Sequence, residues 1–539
     1  MPIFQDFLTS TESLGLGDPQ GLSPFFALTG LWVVWRIWKF VISPQVFSSD
    51  PKPLPYWIPY FGSAIGFFRN SHDLINKAIS KHESREPFTV TVVGQEFYVV
   101  TDPQNVAEVY KNTTQLSFDL FLREILVACG TSKRALEAMC LEPPPYREDQ
   151  TAITDANPFG KSLIRLAMDF HHIQLLPGPK SQAAGLSDVI MNNISRLQDW
   201  ERLYNDPLLP VRKTPTEMDV SLLKWCGNIL VEAGTKAYYG RRMWESEPDL
   251  LRVFYQFDHS AWKLFFHCPD MFSQDVLSAR NHMAKVFTRH FERPKEKRSD
   301  ESWFTNALET EQRKAGLSEY EMATTNIFIY FAINGNTYKL CFWMLVYIVS
   351  DPALLAKLRA EIDPDGTGRD PRLEHLTGAC PLLDAVLHET LRLYTNSATM
   401  RHVTADTVIG GKTMRRGRQI MIPYRQLHDN DDVFGVDTAS FNPNRFLEAK
   451  GLKRSSSFRP FGGGATFCAG RFVAQKEVMM FIGIALMRFD VEVPKTPGGL
   501  AQEIPRVDGG KPTLGMMAPL LSDEYIVRIK QRRMEGTQS

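Results

Sequence analysis

Neither sign of charge is in excess in this sequence: lysine and arginine number 61, and aspartate and glutamate also number 61. Without a long-range positive field, the chain offers nothing to a polyanion, which argues against a nucleic-acid partner. Paired cysteines are missing too. The seven cysteines, at 129, 140, 226, 268, 341, 380 and 468, are odd in number and show no CxxC spacing, which excludes a disulfide framework and a structural zinc site. The catalytic part is therefore expected to face a reducing compartment. Low-complexity linkers, charge blocks and fixed-period repeats are absent beyond residue 70, so one large domain is expected over 70–539. At 43% hydrophobic and 23% charged residues, that domain has the material for a sizeable core.

No lysine or arginine occurs among the first 21 residues. That removes the basic n-region of a cleavable signal peptide and, by the positive-inside rule, places the long C-terminal portion in the cytosol. After this N-terminal extension, residues 22–42 are rich in Phe, Leu, Trp and Val and match the ~20 residues that cross a hydrocarbon core as a helix. Only Arg36 and Lys39 interrupt the run. Both lie in its second half, where long basic side chains can snorkel to headgroups, and Trp32, Trp35 and Trp38 suit an interfacial belt. A membrane anchor helix over 22–42 is expected, followed by a proline-rich hinge over 43–69. In that hinge Pro51, Pro53, Pro55 and Pro59, ending at Gly62, make a stiff extended segment.

The body reads as mainly α with small β-sheets. Residues 220–234, 245–266 and 276–292 carry helical spacing, whereas Phe88 to Val100 reads as a hairpin around Gly94 and Val403 to Ile422 is also β-rich. Ser318 and Glu321 form a capping box ahead of an apolar pattern that continues to about Ser350, a helix of roughly 48 Å at ~1.5 Å per residue. Asn334, Asn336 and Lys339 in its middle are too costly in lipid for a second span. Asp351 with Pro352 marks the next helix start.

Near the C-terminus a glycine-rich loop, Phe461 to Arg471, carries Cys468 to the start of a helical pattern. Small residues let backbone approach a flat macrocycle, and N–H groups at a helix start stabilise a thiolate. This stretch resembles the FxxGxxxCxG signature of the cytochrome P-450 superfamily, in which the cysteine is the proximal haem ligand. Glu389 and Arg392 match the superfamily's ExxR helix, and Pro443, Arg445 and Phe446 match its PxRF element. The resemblance implies the cytochrome P-450 fold around a haem b whose iron, the metal of the site, is held by Cys468, with Phe461, Gly464 and Gly470 shaping the loop. Arg401 resembles the arginine that pairs with a haem propionate, and Glu389, Arg392 and Arg445 the buried charge network of the proximal side.

Two departures stand out. Thr466 occupies the position where many relatives place a cation, and no WxxxR helix is found in residues 140–200, although Phe170, His171 and His172 lie there. In the central helix, AINGNT places Gly335 where relatives carry an acid, Asn336 where they carry a threonine, and Thr337 next along. These three are the catalytic candidates, the Asn336 amide being able to hold a water. The asparagine and the cysteine loop are similar to the branch that contains sterol 7-alpha-hydroxylase, sterol 12-alpha-hydroxylase and prostacyclin synthase. What the resemblance implies is a monooxygenase of a lipophilic terpenoid, steroid or other secondary metabolite, fed by NADPH through a flavoprotein reductase at the endoplasmic reticulum membrane. By family position its pocket would be lined by Phe118, Phe121, Ile329, Ile333, Ala398, Met400, Met516 and Met517. An electron-independent peroxide isomerase or dehydratase on the same haem, and a non-catalytic haem-binding protein, remain as alternatives.

Overall fold

The computed structural model describes residues 19–532 apart from 83 and 497; the expected N-terminal extension lies outside these residues as far as residue 18, and the last residues of the chain lie outside them from 533. Helices dominate, in the order that the apolar periodicity implies. The chain begins with α1 (Pro19–Ile37), which continues through a π-helical turn, Trp38–Ile42, and a short helix, Ser43–Val46. The stretch Phe25–Val46 is long and apolar enough to cross a membrane and is a candidate anchor.

Its C-terminal half is docked on the domain. Trp32 stacks on Trp57 and donates to the Trp57 carbonyl at 2.9 Å; Arg36 lies 4.2 Å from the Trp57 ring and bonds the Tyr56 carbonyl; Lys39 pairs with Glu96 at 2.6 Å, and Glu96 also binds Arg418 at 2.7 Å. The two cations expected to reach for headgroups are instead held by protein groups. Cation–π contact and a charge-assisted bond outcompete the headgroup layer because they are preorganised.

The proline strip between anchor and domain is part of a sheet. The six-stranded sheet comprises β1 (Lys52–Pro53), β2 (Phe88–Val92), β3 (Gln95–Val99), β4 (Leu116–Ser117), β5 (Ala398–Val403) and β6 (Gln419–Pro423), in the order β1-β2-β3-β6-β5-β4. β1 joins the edge in parallel to β2, and Leu54 and Tyr56 just beyond it are buried. Proline is tolerated there because an edge strand can spare its N–H. The expected hairpin is the antiparallel pair β2–β3 with Gly94 at φ 76° in its turn, where a Cβ would meet the Tyr60 ring. A four-stranded sheet pairs Phe489–Glu492, Ile526–Gln531, Glu217–Ser221 and Pro210–Lys213.

The helical layer holds the main core. α2 (Leu222–Tyr239), α3 (Leu250–Phe265) and α4 (Gln274–Glu292) correspond to the three segments read from spacing. They pack around the central element, which is two helices, α5 (Glu319–Asn334) and α6 (Thr337–Ser350), rather than one. The capping box at Ser318 and Glu321 is formed, and Asp351 caps the following helix through the N–H groups of Ala353 and Leu354. Between α5 and α6 the backbone turns at Gly335 and Asn336, the latter at φ −121°. Lys339, just past the break, is buried against Asp258 of α3 at 2.8 Å, and Tyr338 donates to the same carboxylate at 2.5 Å. A lysine in an apolar helix is thus paired inside the domain, not immersed in lipid. α7 (Pro381–Tyr394) and α8 (Arg471–Arg488) complete the frame of the site.

Candidate active site

Cys468 sits two residues before the cap of α8, on a loop whose shape the glycines set. Its N–H donates to the Phe461 carbonyl at 3.0 Å, closing the loop, and Gly462 and Gly464 adopt φ of 80° and 61°. The side chain of Cys468 is exposed although the loop belongs to the domain. Although the residue is exposed, the protein packed around it desolvates the thiol enough to push it up, opposed by the N–H groups of Gly470 and Arg471 and by the Arg471 guanidinium. Those N–H groups form a ready cradle for a thiolate. The other six cysteines carry no such arrangement: Cys129, Cys226 and Cys341 are fully buried, with their thiols raised by desolvation.

Behind the loop lies a closed charge network. Glu389 of α7 accepts from Arg392 at 2.8 and 2.9 Å and from Arg445 at 3.2 Å, and the N–H of Asn442 completes it at 3.0 Å. Arg392 also donates to the carbonyls of His428 and Ser440. His428 ties this network to the cysteine loop: its Nδ1 donates to the Arg392 carbonyl, and its Nε2 accepts from the N–H of Arg459 at 2.9 Å. Both ring nitrogens are committed to the neutral form, and burial lowers the imidazole to about 3. The sequence reading missed His428, because a lone histidine 40 residues ahead of the cysteine carries no spacing signal.

Arg401 lies on β5, where the alternation buries Thr399, Arg401 and Val403 on one face. Its guanidinium bonds the Thr399 hydroxyl at 2.7 Å, the Met400 carbonyl and the Thr466 hydroxyl at 2.6 Å, and lies 5.0 Å from the Phe118 ring. No carboxylate is among these partners. Burial pulls this arginine down, the sign expected of a cation buried without an anion. Tyr110 completes the cluster. Its hydroxyl bonds that of Tyr424 at 2.8 Å, and its ring lies so close to Gly463 and Gly464 that a Cβ on either would come within 2.9 Å. Thr466, where relatives carry a cation, is used to hold Arg401. His171, by contrast, is half-buried against the Phe304 ring at 4.0 Å.

An accessible sulfur, glycine backbone beside it and a buried arginine lacking an anion fit a haem with carboxylate edges. Cys468 would hold the iron, whose charge deprotonates the thiol, and Arg401 would meet a propionate.

The break in the central helix faces the middle of α8, where Thr337 and the buried carboxyl of Glu477 are neighbours. Gly335 and Asn336 are not ionisable, so the acid nearest this turn comes from the neighbouring helix. Burial raises Glu477 to about 8, with the nearby Thr337 hydroxyl opposing. In the unfolded chain the carboxyl releases its proton from about 4.5, whereas the folded chain keeps it until about 8, so stability falls as pH rises across that window. Glu477→Gln is therefore expected to stabilise the protein by roughly 4–5 kcal/mol at about pH 9, at ~1.4 kcal/mol per unit. The gain should vanish at about pH 4. Denaturant unfolding at the two pH values checks this; an equal difference at both would remove the buried carboxyl as its cause.

One face of α5 is open. Ile329, Ala332 and Ile333 are partly or fully accessible, as is Asn336 at the break, while their neighbours toward α2 and α4 are buried. Of the other pocket candidates, Phe118 and Phe121 pack on each other at 5.7 Å, and Phe118 covers Arg401. Met516 is clamped at the break by its own N–H, which donates to Asn336. Ala398 and Met400 alternate to the opposite face of β5 from Arg401 and pack with Phe266 on the cluster beneath the sheet. Met517 is fully buried, its sulfur on Arg425 and its carbonyl on Trp343, so it faces the core. Strand alternation sets Ala398 and Met400 on the face of β5 opposite Arg401.

A family model described as Cytochrome P450 matches residues 229–507, a span that contains Asn336, Glu389, Arg392, Arg401, Arg445 and Cys468. The chain is 28% identical to the Penicillium oxalicum protein named cytochrome P450 monooxygenase poxD, over 87% of this chain and 92% of the relative. It is 23% identical to the cholesterol 7-alpha-monooxygenase of Cricetulus griseus, over 92% of this chain and 96% of that one. The Homo sapiens 7-alpha-hydroxycholest-4-en-3-one 12-alpha-hydroxylase is 24% identical over 86% and 89%, respectively.

Proposed function

Because the chain belongs to the cytochrome P450 family, whose relatives above are named as monooxygenases and hydroxylases, we propose that it inserts one atom of dioxygen into a lipophilic substrate. The second atom leaves as water, with two electrons drawn from NADPH through a flavoprotein reductase. The observation that carries this reading is the accessible Cys468 sulfur, on a loop braced through His428 by the Glu389–Arg392–Arg445 network. A haem supplies dioxygen activation when bound, the thiolate ligand favouring O–O cleavage.

The chain's own residues do the rest. Cys468 Sγ ligates, and Arg401 with the Tyr110–Tyr424 pair fixes the carboxylate edge. The apolar face of α5 with Phe121 excludes water and binds a terpenoid or sterol-like skeleton without directional bonds, as the sterols in the relatives' names suggest. Glu477, protonated at neutral pH, holds a proton beside the break in the central helix. α1 anchors the body at the endoplasmic reticulum membrane with the catalytic domain on the cytosolic side.

The test is turnover of a lipophilic extract by the protein in membranes under ¹⁸O-labelled dioxygen, with and without NADPH and reductase. Label in a product that appears only with the electron supply is the expected result. Product formed without electrons would replace this reading with peroxide rearrangement, which the absence of an ionisable residue at Gly335 and Asn336 would suit.

A further inference from the structure

The side chain of Asn336 is held by a group that dictates which of its two amide atoms points where. The N–H of Met516 lies 2.9 Å from Asn336 Oδ1. A backbone N–H only donates, so the atom facing it has to be the carbonyl oxygen, and Nδ2 lies on the other branch of the amide. Nδ2 has no hydrogen-bond partner among the described residues, and Asn336 is half-exposed on the helix face shared with Ile329, Ala332 and Ile333. That face is the open one.

Space for this arrangement is provided by the residue next to Met516. A Cβ on Gly515 would stand 1.8 Å from Asn336 Oδ1 and 2.7 Å from its Cγ, far inside any real contact. The segment cannot simply move away. Thr395 and Met516 form a β-bridge, the N–H of Asn396 donates to the Gly515 carbonyl at 3.0 Å, the N–H of Met517 donates to the Tyr394 carbonyl at 2.9 Å, and the Trp343 indole of α6 donates to the Met517 carbonyl at 2.8 Å. Of the two colliding parties, the short Asn336 side chain is the one free to yield.

We infer that Gly515 and the Met516 N–H lock Asn336 with its oxygen occupied and its NH₂ presented to the pocket, so that the helix break offers a fixed hydrogen-bond donor and no acceptor. Gly515 is a positioning residue, acting through Asn336. The site then has a set polarity: it holds a ligand atom that carries lone pairs, and it discriminates against one that must itself donate. This inference rests on the open face of α5 being the ligand side of the haem, as proposed above, and not on which reaction follows.

The probe is carbon monoxide on the reduced, haem-loaded, full-length protein, read by the infrared C–O stretch, which falls when a donor approaches the ligand's outer atom. Asn336→Ala is expected to raise the frequency. Gly515→Ala, 179 residues away in sequence, is expected to raise it by the same amount, because it expels the amide. The double variant should match Asn336→Ala in frequency, haem retention and melting temperature, since without the amide the added methyl has nothing to strike. A Gly515→Ala band at the wild-type position, an Asn336→Ala band that does not move, or a double variant worse than Asn336→Ala would each overturn the inference. Should Gly515→Ala alone fail to fold, recovery in the double variant still decides. No reductase or organic substrate is needed. Failure of the labelled-dioxygen experiment would thus leave this result standing, and the converse also holds.

Discussion

Cys468→Ala should abolish turnover, by at least ~10³-fold or about 4 kcal/mol of barrier, and should remove the thiolate signature from the carbon monoxide spectrum while leaving the helical fold intact. The reasoning is local. The cysteine side chain is exposed and contributes nothing to the packed core, whereas its backbone N–H closes the loop onto Phe461 and survives the change. A thiolate is the only ligand this loop presents, since its neighbours are glycine, alanine, threonine and phenylalanine. Cys341→Ala is the matched control: that thiol is fully buried in α6 and its replacement costs stability of order 1 kcal/mol with the haem spectrum unchanged. Unfolding of Cys468→Ala before haem is added, or a retained thiolate spectrum, would sink the assignment.

Arg392→Ala is expected to be the most damaging single change to the fold. Its guanidinium and the Glu389 carboxylate are both fully buried, and removing one partner of such a pair costs ~3–5 kcal/mol because the other is left uncompensated. The buried carbonyl of His428 and the partly buried one of Ser440 lose their donor as well. A domain of marginal stability, ~5–15 kcal/mol, has little to spare. The damage should travel along the His428–Arg459 bond, so that haem retention falls more than helix content. Arg392→Lys should rescue poorly, since a point charge cannot replace two parallel bonds to one carboxylate. Thermal melts of the holoprotein and pyridine-haemochrome content check this; a melting temperature within a degree or two of wild type would refute it.

What could be read from the sequence was what short-range spacing encodes. The mainly helical class, the hairpin at Gly94, the Ser318–Glu321 capping box and the cysteine loop are each written within a dozen residues. The charge network was readable only because three short motifs occur in the right order. The break in the central helix was not readable: Asn334, Asn336 and Lys339 mark polar positions inside its apolar pattern, but the N–H of Met516 that donates to Asn336 at the turn comes from far along the chain. His428, Arg459, Tyr110 and Tyr424 reach the site from scattered positions and leave no periodic trace. Glu477 did leave one, as a lone acid inside an apolar helix, the pattern that burial of a carboxyl produces. Strand parity on β5 also decided matters: Arg401 and Met400 are adjacent in sequence and face opposite ways.

With Arg36 held by Tyr56 and Trp57, and Lys39 by Glu96, a bilayer crossed by α1 as proposed above would have its hydrocarbon boundary ahead of both. From Leu22 to Trp35 the chain offers 14 residues, mostly apolar, or ~21 Å of helix, against a lipid interior of ~30 Å. A free helix would correct such a shortfall by sliding or tilting; one clamped to its own catalytic body cannot, and the lipid must deform instead. In that arrangement the joint at Glu96 and Arg418 would work as a depth stop. Local thinning of the bilayer would be imposed by the same residues that bind anchor to sheet, and the protein should then partition toward thinner membranes.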